Sequence, residues 1–106
     1  MIEQDKISAI INKIAQDYDP DKIILFGSYA TGNADENSDL DLLVIKDTDL
    51  PRPLRTVQVR KLLYGSMVPI DLIVYTPKEI KESEKNKFSF IHDVLNTGKI
   101  IYERTD

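Results

Sequence analysis

The sequence predicts a small α/β protein, a mixed β-sheet with flanking helices. Three observations carry that expectation. An apolar stripe of helical period opens the chain, with Ile7, Ile10, Ile11 and Ile14 at i, i+3, i+4 and i+7. Three short runs rich in β-branched residues follow, and segments of helical character lie between and after them. The four glycines (Gly27, Gly32, Gly65, Gly98) all fall where a periodic segment ends.

The first helix is expected over about residues 4–17, stopped by Asp19-Pro20-Asp21, because proline pushes the residue before it out of the helical region. Lys22 to Phe26 reads as a strand closed by Gly27, and Ser28 to Thr31 as a short helical turn. Gly32 to Ser38 is polar and loop-like. Asp39 to Lys46 is a second strand with a split pattern: Leu40, Leu42 and Val44 face one side, Asp39, Asp41, Leu43 and Ile45 the other. Pro51 and Pro53 open a helix to about Tyr64, whose apolar positions Leu54, Val57, Leu62 and Leu63 fit one face only roughly. Ile70 to Tyr75 is a third strand. Pro69 cannot donate to a ladder, which puts it at a strand start or an edge. Thr76-Pro77-Lys78-Glu79 reads as a capping box opening a charged, exposed helix to about Lys85. Phe88, Ile91 and Leu95 mark another helix, closed by Gly98, and Lys99 to Glu103 a last edge strand.

A length of 106 residues is expected to make a single domain spanning 1–106, with no room for a separate substrate-recognition domain. The net charge of −4 argues against a nucleic-acid coat, whose footprint is basic. That charge is unevenly spread: residues 1–49 carry eleven acidic and four basic side chains, residues 50–106 seven acidic and ten basic. Absence of cysteine excludes a disulfide scaffold, a zinc–thiolate site and a thiol nucleophile. Apolar runs such as Ile23 to Phe26 are too short to span a bilayer, and the polar N-terminus is unlike a secretory signal, so the expected location is the cytoplasm.

The chemistry is concentrated between Gly27-Ser28 and Asp39-Leu40-Asp41. On a strand, residues two apart share a side with Cα atoms roughly 6.5–7 Å apart. Two aspartates placed so repel each other unless a cation lies between them. Mg²⁺ is the natural candidate, because it takes hard oxygen ligands and commonly one or two carboxylates plus substrate phosphates. Asp71, inside an apolar run, is a third carboxylate. If its strand neighbours that of Asp41, the three converge as a two-metal phosphoryl or nucleotidyl transfer site requires, with ions ~3.5–4 Å apart. A strand ending in Gly27, with Ser28 opening a helical turn, exposes backbone N–H groups and a hydroxyl to an anion. Alone, each feature has a plainer reading: a turn, a solvated strand face, an edge charge that deters aggregation. Together, in this order on strands, they point to a site. Two other motifs fail. Asn33 and Ala34 stand where a Walker A loop needs Lys and Ser/Thr, and Leu40 and Lys46 occupy the glycine and glutamate places of an EF-hand loop.

Gly27-Ser28-Tyr29-Ala30-Thr31-Gly32 followed by Ser38-Asp39-Leu40-Asp41-Leu42 resembles the signature of the polymerase-β-type nucleotidyltransferase superfamily, and the short chain with Asp71 resembles its minimal members. The resemblance implies the nucleotidyltransferase fold. It implies that Asp39 and Asp41 coordinate Mg²⁺, two ions in all, that Asp71 completes the metal site and helps deprotonate an acceptor hydroxyl, and that Gly27 and Ser28 hold the terminal phosphates of a nucleoside triphosphate, ATP by expectation. Minimal members are similar to the antitoxins of toxin–antitoxin pairs, which implies AMP transfer to a hydroxyl of a HEPN-domain RNase toxin. Thr31 departs from the pattern, standing where many members carry arginine, and so removes a positive charge near the phosphates. Two other readings follow: a non-catalytic module that neutralises a toxin by contact, or a transferase acting on a small molecule or nucleic acid. Arg52, Arg55, Arg60 and Lys61 form an acid-free basic stretch, read first as a solvated helix face and second as a screen for triphosphate charge or an acidic partner. His92 is given no role.

Overall fold

The computed structural model describes residues 1–105. The isoleucine stripe folds as α1 (Gln4–Asp17), with Ile7, Ile10, Ile11 and Ile14 all buried. The chain then runs through β1 (Lys22–Phe26), the short α2 (Ser28–Thr31), β2 (Leu40–Ile45), α3 (Arg52–Leu62), β3 (Ile70–Tyr75), α4 (Pro77–Glu84), α5 (Phe90–Thr97) and β4 (Lys99–Glu103). Among the described residues no helix is long and apolar enough to cross a membrane.

The strands form one sheet in the order β3-β2-β1-β4. Strand β1 pairs antiparallel with both neighbours, and β2 and β3 are parallel, so the sheet is mixed as expected. Strands β3 and β4 are its edges, which is where Pro69 and the last strand belong. The alternation in β2 sorts its side chains onto two cores. Leu40, Leu42 and Val44 join the α1 isoleucines, Val59 of α3 and Ile23 on one face. Leu43 and Ile45 join Ile24, Ile80 of α4, and Ile91 and Val94 of α5 on the other. Helices therefore cover both faces, and Asp41 shares the α4/α5 side with Leu43 and Ile45.

The capping box forms as expected: Glu79 N donates to Thr76 Oγ1 at 3.1 Å and Thr76 N to Glu79 Oε1 at 2.9 Å. Two expectations need correction. Leu54 and Val57 are not core residues of α3: they are 51% and 46% exposed, while Arg55 and Val59 point inward. Arg55 is thus neither solvated nor a phosphate screen. Its Nε donates to Leu50 O at 2.6 Å, and its Nη1 to Val74 O at 3.2 Å and Glu79 Oε1 at 2.7 Å. The guanidinium fork satisfies carbonyls that no aliphatic side chain could serve, which is why the helix presents it to the sheet. Correspondingly Glu79, expected on a solvated helix, is an anchor in that network. Burial pushes its pKa up, but hydrogen bonds from Arg55 and Thr76 and the charges of Arg55 and Arg52 outweigh this and hold it below the ordinary value. The second correction is at α5, which begins only at Phe90 behind the N-cap Ser89. Phe88 lies in the preceding turn, 96% exposed.

Candidate nucleotide and metal site

The parallel pairing of β2 and β3 sets Asp41 directly opposite Asp71. Side chains opposite each other on adjacent strands share a face and are near neighbours. Asp39 lies one residue before β2, exposed, and acts on Asp41 through charge. Burial raises the Asp41 pKa first, with the charges of Asp71 and then Asp39 adding to it. Asp71 is exposed on the edge strand and open to an incoming group, while Asp41 is half-buried.

Gly27 closes the site from β1. It has φ +72°, the left-handed region that favours glycine, and a Cβ placed there would overlap the Asp41 carboxylate oxygen Oδ2. The backbone conformation therefore favours glycine, and a side chain there would have to push the Asp41 carboxylate aside. It N-caps α2, its carbonyl accepting from Ala30 N at 3.1 Å and Thr31 N at 3.2 Å. Ser28, next in sequence, opens that turn and is half-buried. Thr31 is exposed, and its hydroxyl bonds back to the carbonyls of Gly27 and Ser28, both at 3.4 Å. Of the α3 cations, Arg55 is committed to the core, Arg52 lies over the Tyr75 ring at 4.1 Å, and Arg60 Nη2 donates to Ile70 O at 3.2 Å, one residue from Asp71.

Of the five residues picked from sequence, then, Asp41, Asp71 and Gly27 meet, Asp39 acts on Asp41 through its charge, and Ser28 follows Gly27 along the chain. Among the described residues, no three carboxylate or imidazole groups stand close enough to enclose an ion by themselves. That donor set fits Mg²⁺, which is commonly held by one or two carboxylates and completed by phosphate oxygens and water. The like-charge crowding on Asp41 is what a divalent cation would relieve. Phe26, read from sequence only as a strand residue, has its Cα opposite that of Asp41 in the β1–β2 ladder. Its only sequence signal is its place before Gly27.

The family model described as polymerase beta, nucleotidyltransferase matches residues 9–106. A protein of Methanocaldococcus jannaschii named "putative protein adenylyltransferase" is 35% identical over 104 residues, covering 96% of this chain and all of its own length. A second protein of that organism and name is 36% identical, covering 92% of this chain and 70% of its own. The crystal structure of a "putative nucleotidyltransferase from Sulfolobus solfataricus" superposes with a TM-score of 0.66 at 20% identity, over 94% of this chain and 79% of that one. A crystal structure of a toxin–antitoxin with AMP-PNP gives a TM-score of 0.60 at 23% identity, over 97% and 75%. At such identities the two structures establish the likeness of fold.

Proposed function

This chain belongs to the polymerase beta nucleotidyltransferase family, and from that premise we propose that it transfers AMP from ATP, with Mg²⁺, to a hydroxyl of a partner protein and so acts as the antitoxin of a toxin–antitoxin pair. The observation that carries the reading is the in-register placement of Asp41 beside Asp71, with Gly27 against the Asp41 carboxylate. The protein acceptor is supported by the names of the curated relatives. The toxin partner, a HEPN-domain RNase by the resemblance of the sequence, is supported by the fold neighbour solved as a toxin–antitoxin.

Asp41 and Asp71, with Asp39 beside them and with phosphate oxygens and water completing what these carboxylates do not enclose by themselves, would hold the metal, two ions in the full site, which when bound supplies charge neutralisation for the triphosphate and the leaving pyrophosphate. The backbone at Gly27 and the Ser28 hydroxyl hold the terminal phosphates. Asp71, exposed on the edge strand opposite Asp41, receives the proton of the acceptor hydroxyl. The hydroxyl oxygen bonds to the α-phosphorus, the bond from that phosphorus to its bridging oxygen breaks, and pyrophosphate departs with the electron pair.

Gly27→Ala tests the site's internal fit. The added methyl displaces the Asp41 carboxylate, and misplacement by about 1 Å at a reacting centre costs on the order of a hundredfold in rate. Transfer should fall by about that factor, with a smaller loss of ~1–3 kcal/mol in stability from the positive φ and the overlap. Unchanged transfer would show that the contact between Gly27 and Asp41 has no catalytic role.

Thr31 favours a second reading, a module that neutralises its toxin by contact alone, since it stands in the Gly27–Gly32 turn where the family resemblance expects an arginine. Incubating the protein with the product of its neighbouring gene, Mg²⁺ and ATP, then weighing that product intact, separates the two. The transfer reading expects added AMP mass, lost in Asp39→Asn/Asp41→Asn. No added mass, with neutralisation surviving the double substitution, would establish the contact reading instead.

A further inference from the structure

We propose that Phe90, backed by Phe26, is the platform on which the base of the donor nucleotide stacks. The inference rests on the nucleotidyl-transfer reading and states how that site holds the part of its donor that carboxylates and a glycine turn leave unheld.

Phe26 and Asp41 are directly opposed on β1 and β2, so their side chains share the α4/α5 face. Phe26 packs with the core on that face. The Phe90 ring meets the Phe26 ring edge to face, with centroids 5.7 Å apart and planes at 80°. A line of neighbours thus runs from Asp71 through Asp41 and Phe26 to Phe90 at the start of α5. Phe90 remains 57% exposed, and Phe88 beside it 96%.

These rings are presented on a braced turn. Ser89 Oγ donates to Ser83 O at 2.9 Å and accepts from His92 N at 3.0 Å, capping α5. Phe88 N donates to Asn86 Oδ1 at 3.0 Å. A single exposed apolar side chain is ordinary. Two aromatic rings held in water by a hydrogen-bonded turn, one of them leaning on the register partner of Asp41, form a preorganised surface at the edge of the site.

A phenyl ring offers a π-face and no hydrogen-bonding group, so it recognises the flat face of a base and not its edge. The platform therefore favours a purine over the smaller pyrimidine by contact area and does not distinguish adenine from guanine.

Calorimetric titration of the intact protein with ATP, CTP and inorganic tripolyphosphate, all with Mg²⁺, tests this. Base–aromatic stacking removed by alanine corresponds to a loss of about tenfold or more in affinity. Phe90→Ala should weaken ATP by that factor, narrow the gap between ATP and CTP, and leave tripolyphosphate unchanged. The chain has no tryptophan, so Phe90→Trp creates a sole reporter whose emission ATP should quench and tripolyphosphate should not, with ATP affinity retained. Equal losses for ATP and tripolyphosphate, or no loss for either, would overturn the proposal. So would loss of partner labelling with ATP affinity intact, which would give the ledge to the acceptor protein. A wild-type protein that binds neither ATP nor tripolyphosphate would remove the nucleotidyl-transfer reading and the stacking with it, whereas wild-type ATP binding that Phe90→Ala leaves unchanged removes the stacking alone.

Discussion

Asp41→Asn is expected to lower nucleotidyl transfer about a thousandfold or more while leaving the metal-free protein as stable as wild type, or more stable. The two effects come from the same placement. Asp41 is half-buried, with Asp71 opposite it and the Asp39 charge nearby, and both burial and like charge raise its pKa. A group with a raised folded-state pKa favours the fold while protonated and loses that contribution as pH rises through the folded value. At neutral pH the ionised carboxylate therefore costs stability, and the neutral amide removes that cost. The same substitution would remove the central member of the proposed metal site. Charge stabilisation by a bound ion is worth several kcal/mol in the transition state, and each ~1.4 kcal/mol is a factor of ten in rate. Thermal melts in EDTA and partner-labelling rates read the two halves separately. A large drop in Tm without metal would show that Asp41 is held by favourable contacts and not by a function the fold tolerates. A separate melt with Mg²⁺ and ATP should raise the wild-type Tm and leave that of the variant unmoved.

The second large effect is on the fold. Arg55→Ala is expected to destabilise the protein by about 3–5 kcal/mol, the range for breaking a buried pair and stranding its partners. Arg55 is 6% exposed and is the shared donor to Leu50 O, Val74 O and Glu79, so it ties α3 to β3 and to the start of α4. For a domain of this size the loss corresponds to a fall of roughly 15 °C or more in Tm. Lysine should not rescue it, because one ammonium cannot reproduce the fork that serves two carbonyls and a carboxylate. A wild-type Tm in Arg55→Lys would refute this account of α3. The pH dependence has a definite sign. Glu79 has a depressed folded-state pKa, so its contribution is complete above the ordinary carboxylate range and is lost as pH falls through the folded value. Acidification should therefore cost wild type more stability than it costs Glu79→Gln.

Much of the fold was readable because its signals are local. A 3.6-residue period placed α1, alternation sorted β2 onto two faces, and Thr76-Pro77-Lys78-Glu79 announced a cap that does form. The candidate residues Gly27, Ser28, Asp39, Asp41 and Asp71 were picked by type and spacing, since aspartates on a strand and a glycine before a serine are costly or purposeful choices at those places.

What local pattern could not supply is who sits beside whom. Phe88 at i−3 from Ile91 looked like a helical core position, yet the Ser89 cap starts the helix after it and leaves the ring in water. Arg55 looked like surface charge, and its burial became intelligible only once Val74 O and Glu79 were found across from it. Composition, period and motif determined which elements exist and which side chains carry chemistry, because those depend on neighbours within a few residues. The register that opposes Asp41 to Asp71 and to Phe26, the contact that sets Gly27 against the Asp41 carboxylate, and the turn that aims Phe90 were decided by tertiary structure, because strand pairing joins residues 15 to 30 apart in sequence through the packing of whole faces.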